Sequence, residues 1–344
     1  MAMAASLASA PTFPVTARAR VAIAGATGYA GQELVRILAR HPAVTLTAAM
    51  SSAATSAPRP LPALARIWDG AVTPLDVDRL VAEADVVFLA LPEAASAELA
   101  PLLLARGSRV IDLSGAFRIR ADADRQRWYP ATAMLPEGTV YSFTERYRDA
   151  IASARLVSNP GCYPTAALMA LEPLAAAGLL DGPVFVDAKS GISGAGKAPS
   201  ERTHFSENHG SVAAYGVFSH RHTAEIEQEL ARDVTFVPHL VPLDRGILET
   251  IYASLAAGTT AAQVSDALSA AYAAAPFVRL TGDALPEIKH VAHTNFCDIG
   301  WKVDESRQRV VLVVVLDNLI KGAAGSAVQN LNVMLGLDER TGLM

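Results

Sequence analysis

Val21-Ala22-Ile23-Ala24-Gly25-Ala26-Thr27-Gly28-Tyr29-Ala30-Gly31 is the stretch that decides the fold. Four small apolar residues make a short buried strand, and glycines spaced three apart follow it. Glycine lets the backbone turn tightly and approach a pyrophosphate, whose charge rests on the free N–H groups opening the next helix. The spacing G-x-x-G-x-x-G is a relative of the G-x-G-x-x-G dinucleotide motif, and strand-turn-helix is the setting that motif requires. The helix should run to Arg40, where His41-Pro42 ends it.

Working outward, strands and helices alternate. Residues 45–50, 86–91 and 110–113 read as buried strands, with a helix through Leu102-Leu103-Leu104 closed by Gly107. Residues 51–74 read mostly as loop. This rhythm predicts an α/β chain with a Rossmann-type, doubly wound nucleotide-binding domain. From 116 to 155 the chain turns charged and irregular and is expected to form a long loop. Beyond it, strands at 184–187, 234–240, 247–255, 295–303 and 309–316, with helices at 223–230 and 261–274, predict an α+β second domain. A last helix spans 323–335.

The 344 residues are 51% hydrophobic and 18% charged, which suits about two globular domains. Net charge is −5 and no Lys/Arg block stands out, so a nucleic acid is not an expected partner. The longest solid apolar run, 310–316, is far short of a bilayer span. Two cysteines, Cys162 and Cys297, exclude a disulfide framework and a Cys-rich zinc site, and suit a reduced, cytoplasmic chain. Residues 1–17 carry no charge and lack the cationic start of a secretory signal. A flexible tail over 1–18 is expected, with a short organellar leader as the alternative.

The second strand selects the nucleotide. An acid about twenty residues past the turn would hold the ribose hydroxyl of NAD. Here the strand ends Ala49-Met50-Ser51-Ser52, with no acid until Asp69. NADP(H) is therefore expected, with Ser51 and Ser52 near its 2′-phosphate.

Ser158-Asn159-Pro160-Gly161-Cys162-Tyr163-Pro164-Thr165 precedes a helix expected over 166–177. Pro164 suits its first turn, so Cys162 lies at a helix N-terminus, where dipole and free amides favour a thiolate and can hold an oxyanion. A small buried hydrophobe is the competing role for a free cysteine, and Cys297, inside a plain strand, fits that role. A thiol nucleophile works with a base, commonly His. His220-Arg221-His222-Thr223-Ala224-Glu225 is the dense histidine cluster, with Thr223 as the expected N-cap and Arg221 as an anion-gripping cation. Metal binding by the two histidines lacks a clear third ligand, so no metal is expected. Ser190-Gly191-Ile192-Ser193-Gly194-Ala195-Gly196-Lys197 offers amides and hydroxyls to an anion or a carboxamide.

With these residues in place, the chain from Val21 to Leu343 resembles the N-acetyl-γ-glutamyl-phosphate reductases, NADPH-dependent enzymes of arginine biosynthesis. The resemblance is carried by 25–31, by Asp112-Leu113-Ser114 with Phe117-Arg118, by 159–165, by 193–196, by His220-Arg221-His222-Thr223 with Glu225, and by Asp317-Asn318-Leu319-Ile320-Lys321-Gly322. It implies that Cys162 attacks an acyl phosphate, expels phosphate and carries a thioester that hydride reduces to a semialdehyde. His222 would move the proton, with His220 beside it, and Arg118, Asn159, Ser193, Arg221 and Glu225 would hold substrate. Gly25, Thr27, Gly28, Tyr29, Ala30, Gly31, Ser51, Ser52, Gly194, Ala195, Gly196 and Asn318 would bind NADP(H). The resemblance further implies a homo-oligomer, dimer or tetramer. It divides the chain into a nucleotide domain over 19–158 plus 322–344 and a catalytic and oligomerisation domain over 159–321.

Some positions depart from the family pattern. Glu93 stands where His is usual, Ala116 replaces an acid beside Arg118, Ser142-Phe143-Thr144 precedes Glu145 in place of Gly-Leu-Pro, and Ala224 replaces Pro. The competing functions are an aspartate-semialdehyde dehydrogenase and a non-catalytic NADP sensor. A sensor has no need of Cys162 and the histidine pair together.

Overall fold

The computed structural model describes residues 18–51 and 57–344. The expected N-terminal tail, apart from Arg18, and Ser52 lie outside the described residues. Strand β1 (Ala19–Ala24) runs into the glycine turn and α1 (Tyr29–Leu38). Strand β2 (Val44–Ser51) and the two-residue β3 (Thr73–Pro74) lead to α2 (Val77–Glu83), whose N-cap Asp76 accepts the Arg79 N–H. Strand β4 (Val86–Leu89), α3 (Glu93–Ala105) and β5 (Arg109–Asp112) repeat the unit. Gly107, at φ 93°, takes the left-handed conformation that follows α3.

Residues 116–155 are not the irregular loop expected from their composition. They form α4 (Asp122–Trp128), β6 (Thr139–Tyr141) and α5 (Thr144–Ser153), before β7 (Leu156–Ser158) re-enters the sheet. Much of this segment is organised by a buried cation rather than by apolar periodicity. Arg125 donates to the carbonyls of Ile119, Arg120 and Thr132 and to Asp122.

All seven strands are parallel, in the order β3-β2-β1-β4-β5-β7-β6. Strand order reverses between β1 and β4, which opens a crevice at their carboxyl ends. The glycine turn sits at that crevice.

The second half begins with α6 (Cys162–Ala176) and the long β8 (Leu180–Gly191). There follow α7 (Phe205–Asn208), β9 (Ala213–Ala214), α8 (His222–Leu230), β10 (Val234–Val241), β11 (Ile247–Leu255), α9 (Ala261–Tyr272), β12 (Val278–Gly282), β13 (Cys297–Asp304) and β14 (Arg309–Leu316). They build a mixed sheet in the order β12-β13-β14-β11-β8-β10-β9. Burial alternates along β10 and β11, so one face packs on α6 and the other stays open. Helix α6 is buried nearly all round, which is why its apolar residues form no stripe. On the open face Phe185 and Tyr252 are 46% and 45% exposed. After β14 a π-helical turn, Ile320–Ala324, leads into α10 (Gly325–Met334). Ala327, Val328 and Leu331 of α10 join the core of Val21, Ile23, Leu34 and Val157, returning the chain to the first sheet.

Candidate active site

The three glycines of the turn do different things. Gly25, at φ 97°, approaches β4 so closely that a Cβ would lie 2.2 Å from the Ala90 carbonyl oxygen. A Cβ on Gly31 would lie 2.1 Å from the Gly25 oxygen. At Gly28 the nearest atom to a Cβ would be 3.7 Å away. Packing demands the outer two, and only a ligand's close approach demands the middle one. Gly28 is also the N-cap of α1 and has no side chain to cap it, so Tyr29, Ala30 and Gly31 present N–H groups without intrahelical acceptors. A pyrophosphate fits this cradle. Ser51 is buried at the end of β2, paired in register with Pro74.

Facing the cradle is Cys162, the first residue of α6, with Gly161 as N-cap. The helix opens four residues before the expected 166, so the cysteine itself lies in its first turn. Cys162 lines a cleft of about 390 Å³ shared with Gly28, Gly31, Arg118, Gly194, His222 and Asn318. A helix N-terminus predicts a depressed thiol, but desolvation reverses this. Burial pushes the Cys162 thiol up to about 11, against the Arg118 guanidinium and the Tyr163 N–H that pull it down. A thiolate here would have to be generated by a base. Cys297 is fully buried at the start of β13 and its thiol is pushed up further by the same cause.

His222 lines the same cleft as Cys162. A Cβ on Gly161 would lie 2.4 Å from His222 Nε2, so glycine is what lets the ring come this close. Burial, with His220, Arg118 and Arg221 nearby, holds its pKa well below the usual histidine value, and the ring is neutral. Arg118 Nη1 lies 3.5 Å from Nε2 and can only donate, which makes Nε2 the acceptor nitrogen. Nδ1 is buried and has no hydrogen-bond partner among the described residues. Helix α8 begins at His222 with Arg221 as N-cap, and Thr223 does not cap it as expected: its hydroxyl is buried and has no partner among the described residues.

His220 accepts the His222 backbone N–H at Nδ1, 3.2 Å away, and packs edge-on against Tyr163, Tyr215 and Phe236. Burial, then the Arg221 charge, lowers it to about 4. It borders a second, larger cavity beside the first.

Two residues expected at the substrate are committed inside the protein. Glu225, fully buried, accepts from Arg118 Nη1 at 3.0 Å, from the hydroxyls of Tyr129 and Tyr141 at 3.3 Å each, and from the Gly161 N–H at 2.9 Å. Asn159 donates to the Ala323 carbonyl and accepts from Asn330, and its side chain is buried. These two position the site and do not face a ligand. Arg118 borders the cleft, but its other donors reach the carbonyls of Asn159 and Leu113 at 2.8 Å each. Alanine at 116 thus leaves Arg118 firmly held.

Arg221 donates to Glu93 at 3.2 Å and lies over Tyr129. Asn318 accepts the Gly246 N–H at 2.8 Å and donates to Ser193 Oγ at 3.0 Å, bringing residues 193–197 to the glycine turn. Lys197 completes that approach, reaching the Thr27 carbonyl at 3.4 Å. Among the described residues no group of three or more His, Cys, Asp or Glu side chains is placed to hold a metal ion.

Sequence reading missed several supports. Tyr129 and Tyr141 under Glu225 are two. Arg245, which pairs with Glu33 of α1 and with Asp317, is another. Lys321, fully buried, donates to Glu145 at 2.6 Å and to Gln329 at 2.8 Å. Apart from Gln329, eight residues from Lys321, their partners lie far away in sequence, so no local spacing announces them.

The family model described as semialdehyde dehydrogenase, NAD binding domain, matches residues 20–154, and the one described as semialdehyde dehydrogenase, dimerisation domain, matches 162–318. An N-acetyl-gamma-glutamyl-phosphate reductase from Brevibacillus brevis is 45% identical over 94% of this chain and 97% of its own. One from Desulforudis audaxviator is 46% identical, covering 94% of this chain and 98% of its own. Among solved structures, aspartate semialdehyde dehydrogenase II from Vibrio cholerae is similar with a TM-score of 0.72 at 20% identity, over 93% of this chain and 99% of that one. At that identity the likeness shows the fold.

Proposed function

The chain belongs to the N-acetyl-γ-glutamyl-phosphate reductase family, and from that premise we propose that Cys162 is the nucleophile by which it reduces N-acetyl-γ-glutamyl phosphate to N-acetylglutamate 5-semialdehyde in arginine biosynthesis. The observation that carries this is the seating of His222 Nε2 against Gly161, the residue before Cys162, in the cleft that also holds the glycine turn.

His222 Nε2 takes the thiol proton as Sγ attacks the acyl carbon. The carbon–oxygen bond to phosphate breaks, phosphate leaves and takes up one proton from solvent, and Cys162 carries a thioester. Free N–H groups at the start of α6 steady the oxyanion of the attack. Bound NADPH supplies the hydride. His222 then returns its proton to sulfur as the carbon–sulfur bond breaks and the semialdehyde departs. Ser193, Gly194, Ala195, Gly196 and Asn318 support the nicotinamide side, and Arg221 and His220 face the substrate cavity. With no acid in the sequence between Met50 and Asp69, the end of β2 at Ser51 would offer the 2′-phosphate of NADPH no carboxylate repulsion.

The open face of the second sheet, with Phe185 and Tyr252 beside a hollow of about 350 Å³, supports a homo-oligomer built across it. No helix of the described residues is long and apolar enough to cross a membrane, which suits a cytoplasmic enzyme.

Substrate identity is tested with phosphate and NADP⁺. An amide-binding pocket leaves the ammonium of aspartate semialdehyde desolvated, a penalty of several kcal/mol on substantial burial. N-acetylglutamate semialdehyde should be oxidised at least about 10²-fold more efficiently in kcat/KM, which needs roughly 2.7 kcal/mol. Equal rates would refute the assignment.

A further inference from the structure

The larger cavity, about 1240 Å³, opens beside His220 and His222, and three guanidiniums border it: Arg118, Arg202 and Arg221. Arg118 is committed to two carbonyls and Glu225, and Arg221 is paired with Glu93. Arg202 alone of the three has no hydrogen bond or ion pair among the described residues. It lies 5.2 Å over the ring of Tyr215.

That ring is itself fixed to the active site. Tyr215 shares a hydrogen bond with the Tyr163 hydroxyl at 3.3 Å and packs edge-on to His220 at 5.5 Å. Tyr163 directly follows Cys162. An uncommitted cation on an aromatic platform, tied to the nucleophile's neighbour, is placed to receive an anion from whatever occupies the cavity. The exposed carboxylates of Glu201 and Glu207 border the same cavity.

Resting on the reductase function above, we propose that Arg202 recognises the α-carboxylate of the N-acetylated substrate. The acyl phosphate must reach Cys162, which leaves the carboxylate at the far end, on the Arg202 side. The cofactor's 2′-phosphate is a poor alternative, because Arg202 does not border the glycine-turn cleft.

The test compares N-acetylglutamate semialdehyde with 4-acetamidobutanal, the same aldehyde without its carboxylate, in wild type, Arg202→Ala and Arg202→Lys. Wild type should prefer the carboxylate-bearing aldehyde. In R202A the ratio of the two kcat/KM values should fall by about 10²-fold, mainly through KM, as expected for losing a charge-assisted contact. R202K should keep most of the ratio, and the Kd for NADPH should stay constant. A ratio in R202A within about twofold of wild type overturns the assignment of Arg202 and leaves the reductase function standing. A wild type that oxidises neither aldehyde overturns both.

Discussion

The carboxylate of Glu225 accepts the backbone N–H of Gly161 at 2.9 Å, across 64 residues of chain. One buried carboxylate therefore anchors the start of α6 from the start of α8, and the anchor holds His222 next to Cys162. Arg118 neutralises it and two tyrosines complete its hydrogen bonds.

Removing that charge should loosen both helix starts. Losing one partner of a buried pair costs about 3–5 kcal/mol, and in Glu225→Gln the buried Arg118 guanidinium loses its counter-charge. Thermal unfolding should show a lower Tm, and steady-state assays a kcat reduced more than KM. An unchanged Tm with wild-type kcat would refute the anchor.

The Cys162 thiol, held at about 11, predicts alkylation by iodoacetamide that keeps accelerating with pH from neutrality to about pH 10. A plateau below pH 8 would mean a depressed thiol. Cys162→Ala should lose both this pH-dependent labelling and phosphate-dependent aldehyde oxidation, while Cys297→Ala retains both.

For the histidine pair the split is kinetic. His222→Asn should lower kcat by about 10²- to 10⁴-fold, the worth of general acid–base catalysis. His220→Asn should act more through KM, and the opposite pattern would exchange their roles. His220 also contributes a pH dependence of stability. Its folded value of about 4 lies below the unfolded value of 6.5, so the unfolded state binds more protons between them. Stability should fall as pH drops from 6.5 toward 4, and denaturant titrations should find a shallower fall in His220→Asn.

The glycines of the turn separate packing from binding. Gly31→Ala forces a Cβ onto the Gly25 oxygen and should destabilise the domain strongly, seen as a lowered Tm. Gly28→Ala meets ordinary contact only, so Tm should hold while NADPH affinity, followed by fluorescence titration, drops. A Gly28→Ala protein that binds NADPH normally would remove the glycine turn from the cofactor site.

Local chemistry is what the sequence by itself determined. A strand-glycine-helix unit, alternating buried runs and a cysteine at a helix start each depend on neighbours within a few residues, so all three can be read along the chain. The doubly wound first sheet and the mixed second one follow from that patterning. Tertiary structure alone decided the rest, because it depends on what folding brings from afar. Arg125 gathers carbonyls into the elements of 116–155, whose composition suggests a loop. Glu225 and Asn159 turn inward, because a polar side chain surrounded by buried donors gains more from them than from a cleft. Desolvation, set by everything packed around Cys162, outweighs the helix N-terminus that would have lowered its thiol. And among the described residues folding supplies Arg118 and Arg221 with carboxylates, while against Arg202 it places the ring of Tyr215 without a hydrogen bond or ion pair.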